Sequence, residues 1–211
     1  MMLLAPAECQ SAQSYSDQAY SYFLSGNYEL AASTYDRAIQ LEPNSTALWN
    51  NKGRALAMLQ RIDQAIYCFD RSIAINPDDP ESLNLKAIAL SQGLKMDDQA
   101  ILLFDRALAI NSSYFDAWNG KGMALANLGD TAGALQCFEN AVQMRPKDPQ
   151  AWNNKGVVLL KMQRYEEALD CFNQALSIDS HNEAALQNKE STLQAMKEPA
   201  TFRLGSSAAS L

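Results

Sequence analysis

The sequence predicts an all-α protein made of stacked helix pairs, and three observations support this prediction. First, one unit recurs through most of the chain, marked by Trp49, Leu83, Trp118 and Trp152 at spacings of 34, 35 and 34 residues. Second, each unit contains two apolar runs with the spacing of an amphipathic helix. Third, most of the 7 prolines and 9 glycines fall between these runs, where one helix ends and the next begins.

Two series of residues mark the second apolar run of each unit. An alanine near its start recurs as Ala31, Ala65, Ala100, Ala134 and Ala168. An aromatic residue follows four positions later, as Tyr35, Phe69, Phe104, Phe138 and Phe172. The first run carries a small residue instead, which is Gly53, Ala87, Gly122 or Gly156. We expect these small residues to face the alanines, because a bulky side chain there would push the helix axes beyond about 8–10 Å.

Together these residues resemble the tetratricopeptide repeat (TPR), whose pattern is an early Trp and Gly, then Ala, an aromatic residue and a closing Pro. The clearest unit runs from Trp152 to Asp179. The resemblance implies a right-handed α-α superhelix (solenoid) of five TPR helix pairs plus a C-terminal capping helix. The pattern is broken where Ser112 and Ser180 replace the proline and where Leu83 replaces Trp.

The repeat register divides the chain into four parts. Residues 1–11 are a lead-in, and the alternative that they are the remnant of a secretion signal stays open. Five repeats follow, over residues 12–45, 46–79, 80–114, 115–148 and 149–182. Residues 183–197 are predicted to form the capping helix, with Ala185, Leu186, Leu193 and Met196 on its apolar side, and residues 198–211 a disordered tail.

The third repeat holds one residue more than its neighbours, in the segment between Leu90 and Ala100. Turns tolerate insertions at low cost. We therefore expect the extra residue to lengthen the turn inside this repeat and to leave both helices intact.

Composition and charge argue against several functional classes. The net charge is −7 with 24 acidic and 17 basic residues, which disfavours nucleic acid, because its binders neutralise phosphates with Lys and Arg. No stretch approaches the roughly 20 apolar residues of a membrane span. The lone histidine, His181, cannot complete a zinc site or a catalytic triad. We therefore expect no catalytic residue, no metal and no cofactor.

The cysteines are predicted to be thiols rather than disulfide partners. Cys68, Cys137 and Cys171 occupy the same position in three repeats, and equivalent positions in adjacent repeats lie roughly 10 Å apart, beyond the about 7 Å that a disulfide spans. Only Cys9 is expected to be mobile enough to react. Thiols favour a cytoplasmic location, whereas a truncated signal would favour an extracytoplasmic one.

Family resemblance implies that a partner binds the groove lined by the first helix of each repeat. Within these helices, an asparagine directly follows the early Trp position, and an apolar residue or Arg lies four positions further. Both are expected to be exposed, so that amides bind a peptide backbone beside an apolar floor. The predicted partner-binding residues are Asn50, Asn51, Arg54, Asn84, Ile88, Asn119, Met123, Asn153, Asn154 and Val157.

A second ladder on the first helices is interpreted as structural. Lys52, Lys86, Lys121 and Lys155 each follow an acidic residue by sixteen positions, namely Asp36, Asp70, Asp105 and Glu139. We expect an ion pair between neighbouring repeats at each step.

The sequence thus predicts a non-catalytic scaffold or adaptor that binds a peptide or a partner helix. Two alternatives remain, an envelope-associated assembly factor and a regulatory arm of an enzyme complex. The expected partner is a protein, with no nucleic acid and no integral membrane span. A homo-oligomer is compatible with the aromatic residues Tyr20 and Phe23, which we expect to be exposed.

Overall fold

Every regular element that the computed structural model describes is helical, which confirms the all-α prediction. The structure describes residues 11–197. The α-helices in this range are α1 (Ala12–Leu24), α2 (Tyr28–Leu41), α3 (Thr46–Met58), α4 (Ile62–Ile75), α5 (Pro80–Ile88), α6 (Asp97–Ile110), α7 (Phe115–Asn127), α8 (Thr131–Met144), α9 (Pro149–Lys161), α10 (Tyr165–Ile178) and α11 (Glu183–Lys197). A π-helix, Ala89–Gly93, continues α5.

Three predictions from the sequence lie outside the described residues. They are the lead-in up to residue 10, the reactivity of Cys9 and the disordered tail over 198–211. Within residues 11–197, no helix is long and apolar enough to cross a membrane.

Several helices begin at a short side chain that caps them, as α5 and α9 do. Asp79 accepts hydrogen bonds from the backbone of Glu81 and Ser82, and Pro80 occupies the first turn of α5. Asp148 and Pro149 do the same for α9. Each capping carboxylate satisfies amide groups that have no partner within the helix.

The turn inside each helix pair has one residue in the left-handed region, with φ between 59° and 85°. These residues are Gly26, Gln60, Lys95, Gly129 and Gln163. Glycine adopts this conformation without strain, whereas a side chain makes it costly. The five turns therefore share one backbone geometry despite their different sequences.

The chain divides into two compact units, the first ending at Ser112 and the second starting at Ser113. In unit 1, α1 packs on α2, α3 on α4 and α5 on α6. Its core includes the fully buried Ala31, Tyr35, Ala65 and Phe69. Small alanines let the helices approach, and the large rings fill the space between them.

In unit 2, α7 packs on α8, α9 on α10, and α11 against α10. The core repeats the same residue types, with Ala134, Phe138, Ala168 and Phe172 buried. Trp152 explains why the pattern pairs Trp with Pro, since its indole N–H donates to the carbonyl of Pro146 at 2.9 Å.

The small residues of the first helices lie against aromatic rings rather than against the alanines. A Cβ built on Gly53 would stand 2.4 Å from the Phe69 ring, and one on Gly122 would stand 2.8 Å from the Phe138 ring. The prediction of close packing at these glycines is therefore right, but its partner is wrong. The ring lies four residues beyond the alanine, one helical turn further along the second helix.

The extra residue of the third repeat is in a helix, and the prediction that it lengthens the turn is wrong. Lys95 follows Gln60 by 35 positions and has the same left-handed conformation, so the turn itself is unchanged. The residue is instead accommodated by the π-helix, in which the backbone is wound more widely. Gly93 permits this geometry, because a Cβ there would lie 2.6 Å from Ile62.

The helix predicted over residues 183–197 is present as α11, but its buried side differs from the prediction. Ala185 and Thr192 are fully buried, whereas Leu186, Leu193 and Met196 are each about 40% exposed. Thr192 satisfies its hydroxyl by donating to the backbone carbonyl of Asn188 at 2.7 Å. The apolar residues of the predicted stripe are therefore largely at the surface.

Three of the four predicted ion pairs between neighbouring repeats are confirmed. Lys52 pairs with Asp36 at 2.5 Å, Lys86 with Asp70 at 2.6 Å and Lys155 with Glu139 at 3.4 Å. The fourth pair, Lys121 with Asp105, has its members in different units and stays a prediction. Because the acids are about half exposed, each pair contributes about 0–1 kcal/mol.

Candidate functional site

The predicted asparagine ladder is mostly buried, and its expected exposure is wrong. Asn50, Asn84 and Asn153 are only 2–4% exposed, and Asn119 is half-buried. The exposed ladder of amides that the sequence predicted is therefore absent at Asn50, Asn84 and Asn153.

In unit 1, Asn50 belongs to a buried polar network instead. Its amide nitrogen reaches Asp79 at 3.4 Å, and its carbonyl oxygen accepts a hydrogen bond from Ser82 at 3.1 Å. Ser82 also contacts the buried hydroxyl of Ser72 at 2.7 Å. Polar groups removed from water need such partners, so this network joins α3, α4 and the start of α5.

Asn84 on α5 is also buried, but one of its polar atoms lacks a hydrogen bond within residues 11–197. Its carbonyl oxygen has no hydrogen-bond partner among the described residues, a condition that costs about 1–3 kcal/mol.

In unit 2, asparagines link the first helices to one another. Asn154 on α9 donates to Asn119 on α7 at 3.0 Å. Asn188 on α11 donates to Asn153 on α9 at 2.9 Å. The two steps are equivalent, since each joins residues 35 positions apart. This amide ladder joins the first helices of neighbouring repeats, whereas the sequence pattern predicted that these amides bind a peptide backbone.

The solvent exposure of the other predicted residues agrees better with the prediction. Arg54 and Met123 are exposed, whereas Asn51, Ile88 and Val157 are half-buried. Val157 packs against the core of unit 2. Nothing in these contacts tests whether the ten residues bind a partner.

A pocket of about 500 Å³ opens in unit 1 where the first helices of the second and third repeats lie side by side. Predicted residues Arg54 and Ile88 line it, on α3 and α5. Further apolar lining residues were not predicted from the sequence: Phe23, Ala57, Met58, Ile62, Phe69, Leu85 and Ala89. Its volume falls within the roughly 300–1,000 Å³ of known ligand sites.

The signal for the pocket is the one-residue insertion. Ala89, Gln92 and Gly93 of the π-helix form part of its wall. π-helical turns are rare and often occur at functional sites. The extra residue in the third repeat is therefore the sequence feature that indicates this pocket.

Charge at the pocket comes from Arg54. Its guanidinium lies 5.6 Å from the centre of the Phe23 ring, a distance at which a cation is attracted to the aromatic face. Next to it, Asn51 lines a shallow indentation with Tyr20 and Phe23. Tyr20 is 51% exposed, as expected from the sequence.

The cysteines that the structure describes are buried. Cys68, Cys137 and Cys171 are buried thiols, as predicted. Burial raises the pKa of Cys68 and of Cys171 to about 11, which keeps both protonated near neutral pH. Within residues 11–197, no group of three or more His, Cys, Asp or Glu side chains is arranged to hold a metal ion.

Sequence-family models decide the classification. Models described as tetratricopeptide repeat match residues 16–80 and residues 115–148 and 149–182, which together make up more than half of the chain. The chain belongs to the tetratricopeptide repeat family. No curated protein sequence matches this TPR protein significantly.

Solved structures share the fold at low sequence identity. YrrB, a TPR protein with an unusual peptide-binding site, is 23% identical with a TM-score of 0.64, over 85% of this chain and 92% of its own. TTC0263, a thermophilic TPR protein in Thermus thermophilus, is 19% identical with a TM-score of 0.72, over 87% and 100%. A chain of the APC/C hetero-tetramer Cut9–Hcn1 is 19% identical with a TM-score of 0.79, over 88% of this chain and 37% of its own.

Family membership sets the general function. TPR arrays are scaffolds for protein–protein interaction and are generally not catalytic. This TPR protein is accordingly an interaction scaffold.

Proposed function

We propose that this TPR protein holds a segment of a partner protein against the first helices of unit 1, with a side chain of that segment in the pocket beside Arg54. The pocket is the observation that carries the proposal, since it combines an apolar lining with polar groups at the rim. Burial of a Leu or Phe side chain there would contribute about 1.5–3 kcal/mol.

The polar rim suits a peptide backbone. Gln60 and Gln92 are exposed at the edge of the pocket, and each amide can both donate to and accept from a peptide group. The lining thus provides an anchor for one side chain and contacts for the neighbouring backbone.

The similar structures support the same class of function. YrrB is described as having a peptide-binding site, and Cut9 is found in a complex with Hcn1. At 23% and 19% identity, these proteins support a binding scaffold and leave the partner of this chain open.

Site-specific photo-crosslinking tests the proposal in native lysate. A benzophenone amino acid at Met58, on α3 at the pocket, is compared with one at Leu30, on α2. The two residues are 52% and 50% exposed, so they differ mainly in the helix that carries them. We expect a discrete adduct from position 58 and none from position 30. Adducts from position 30 alone would contradict the proposal.

We also propose a cytoplasmic location, which the buried thiols of Cys68 and Cys171 support, because such thiols suit a reducing compartment. Subcellular fractionation tests it, and recovery in an extracytoplasmic fraction would contradict it.

A further inference from the structure

The geometry points to an acidic and apolar ligand for the unit 1 pocket: a partner segment that inserts a bulky apolar side chain and places a neighbouring carboxylate on Arg54. This inference rests on the proposed function and names the chemistry of the partner. It commits to a peptide segment of another protein.

Most residues that line the pocket are apolar. Met58, Ile62, Leu85 and Ile88 surround the pocket, and the ring of Phe69 lies at its base. Phe69 is 1% exposed, so the base belongs to the rigid core of the repeat. An aliphatic or aromatic side chain would therefore meet a preformed apolar site rather than a surface that must rearrange.

The charge at the pocket is positive and favours a negatively charged group on the ligand. Of the described residues that line the pocket, Arg54 is the one with a formal charge. Arg61 already pairs with Glu29 at 3.0 Å, and Arg164 pairs with Glu167 at 2.7 Å. Arg54 forms no ion pair with a carboxylate among the described residues, and its contact with Phe23 leaves its edge available. A guanidinium edge binds a carboxylate well.

Arg54 and the apolar part of the pocket lie close enough together for one short peptide segment to contact both. Arg54 and Met58 are separated by one turn of α3, about 5–6 Å between Cβ atoms. An extended peptide rises about 3.3 Å per residue. A carboxylate one or two residues from the apolar anchor can therefore reach Arg54 while the anchor stays in the pocket.

Defined peptides test this chemistry with the full chain. The probe is a fluorescein-labelled peptide with Asp-Phe-Leu-Glu at its centre and Gly and Ser elsewhere. One matched peptide replaces Phe and Leu with Ala, and a second replaces the acids with their amides. Fluorescence anisotropy measures each affinity. Loss of the apolar pair should weaken binding roughly 10- to 100-fold, and loss of the acids roughly 2- to 10-fold.

Variants of the protein locate the effect. Arg54→Gln should weaken the acidic probe roughly 2- to 5-fold and leave the amide peptide unchanged. Arg71→Gln is the matched control, because Arg71 is also exposed and lies over an aromatic ring, Trp49 at 5.5 Å, yet does not line the pocket.

Opposite charges placed at one exposed position give a difference that damage to the fold would not produce. Met58→Glu and Met58→Lys remove the same apolar side chain, so Met58→Lys should bind the acidic probe more tightly than Met58→Glu, and salt should reduce this difference. Equal effects of the two substitutions would overturn the inference.

Each remaining outcome has a defined meaning. One outcome is that a peptide displaces the labelled probe from the pocket equally well without acidic residues, or better with Lys in their place. Either result would overturn the acidic chemistry of the ligand and would keep the proposed function. Failure of every peptide to bind the wild-type protein would overturn the inference, while crosslinks at position 58 would still support the proposed function. Dimerisation that Met58→Glu abolishes would show that a second copy of the chain occupies the pocket instead.

Discussion

Single glycines set how closely the two helices of a repeat approach. At Gly53, Gly122 and Gly156, an added Cβ would lie 2.4–2.8 Å from a ring of the second helix, which is closer than carbon atoms can pack. These rings are themselves at most 2% exposed, so they have little room to move. The period of the sequence predicted the small residues, but the direction of the ring side chains decided their partner.

Gly122→Leu is expected to lower the free energy of unfolding by about 1–3 kcal/mol, because the new side chain overpacks the contact with Phe138. Calorimetric or urea unfolding measures the change. Met123→Leu is the control, since Met123 neighbours Gly122 but is 40% exposed. An unchanged melting temperature for Gly122→Leu would show that the helices are not in close contact at this position.

Gln163→Gly is expected to raise the free energy of unfolding by about 0.5–1 kcal/mol, because glycine relieves a left-handed conformation with φ of 61°. The same turn contains Gly26 and Gly129 in other repeats. Gln163→Ala keeps a Cβ and should bring no gain. Equal stability of the Gly and Ala variants would argue that the turn is unstrained.

The exposure of the ladder asparagines cannot be predicted from the pattern of a single helix. The spacing of Asn50, Asn119 and Asn153 places them on one side of their helices, but that side can face solvent or the first helix of a neighbouring repeat. In unit 2 the contact from Asn188 to Asn153 settles the question in favour of the neighbouring helix. Exposure of these residues could not be predicted, because it depends on how the repeats stack.

At the scale of the helix, the π-helix is the feature that distinguishes the third repeat. The sequence located the extra residue between Leu90 and Ala100 but not in a particular element. Lengthening a turn costs little chain entropy, which made the turn the simpler expectation. The structure keeps the turn unchanged at Lys95 and widens the helix over Ala89–Gly93, next to the pocket.

Deletion of Gln92 is expected to restore an ordinary α-helical turn and to remove part of the pocket wall. The acidic and apolar probe should then bind at least about 10-fold more weakly, while the melting temperature changes by no more than about 4 °C. Gln92→Ala keeps the number of residues and should retain most of the affinity. Full affinity after the deletion would separate the π-helix from binding.

At the scale of the whole molecule, most of the fold could be predicted from the repeat register. The Ala and aromatic series recur in both units, and every helix predicted from them within residues 11–197 is present. The pocket depends on a departure from the repeat, the extra residue beside Ile88, together with Phe23 from another helix. A repeated pattern therefore predicted the scaffold better than the site.

The proposed function requires that the partner binds the first helices of unit 1 rather than the second helices. Methyl NMR of the full chain, titrated with the acidic and apolar peptide, tests this directly. We expect the shifts to concentrate on the methyl groups of Met58, Leu85 and Ile88, with Leu30 and Leu102, exposed on α2 and α6, unchanged. Shifts at Leu30 and Leu102 with none at the pocket would contradict the account.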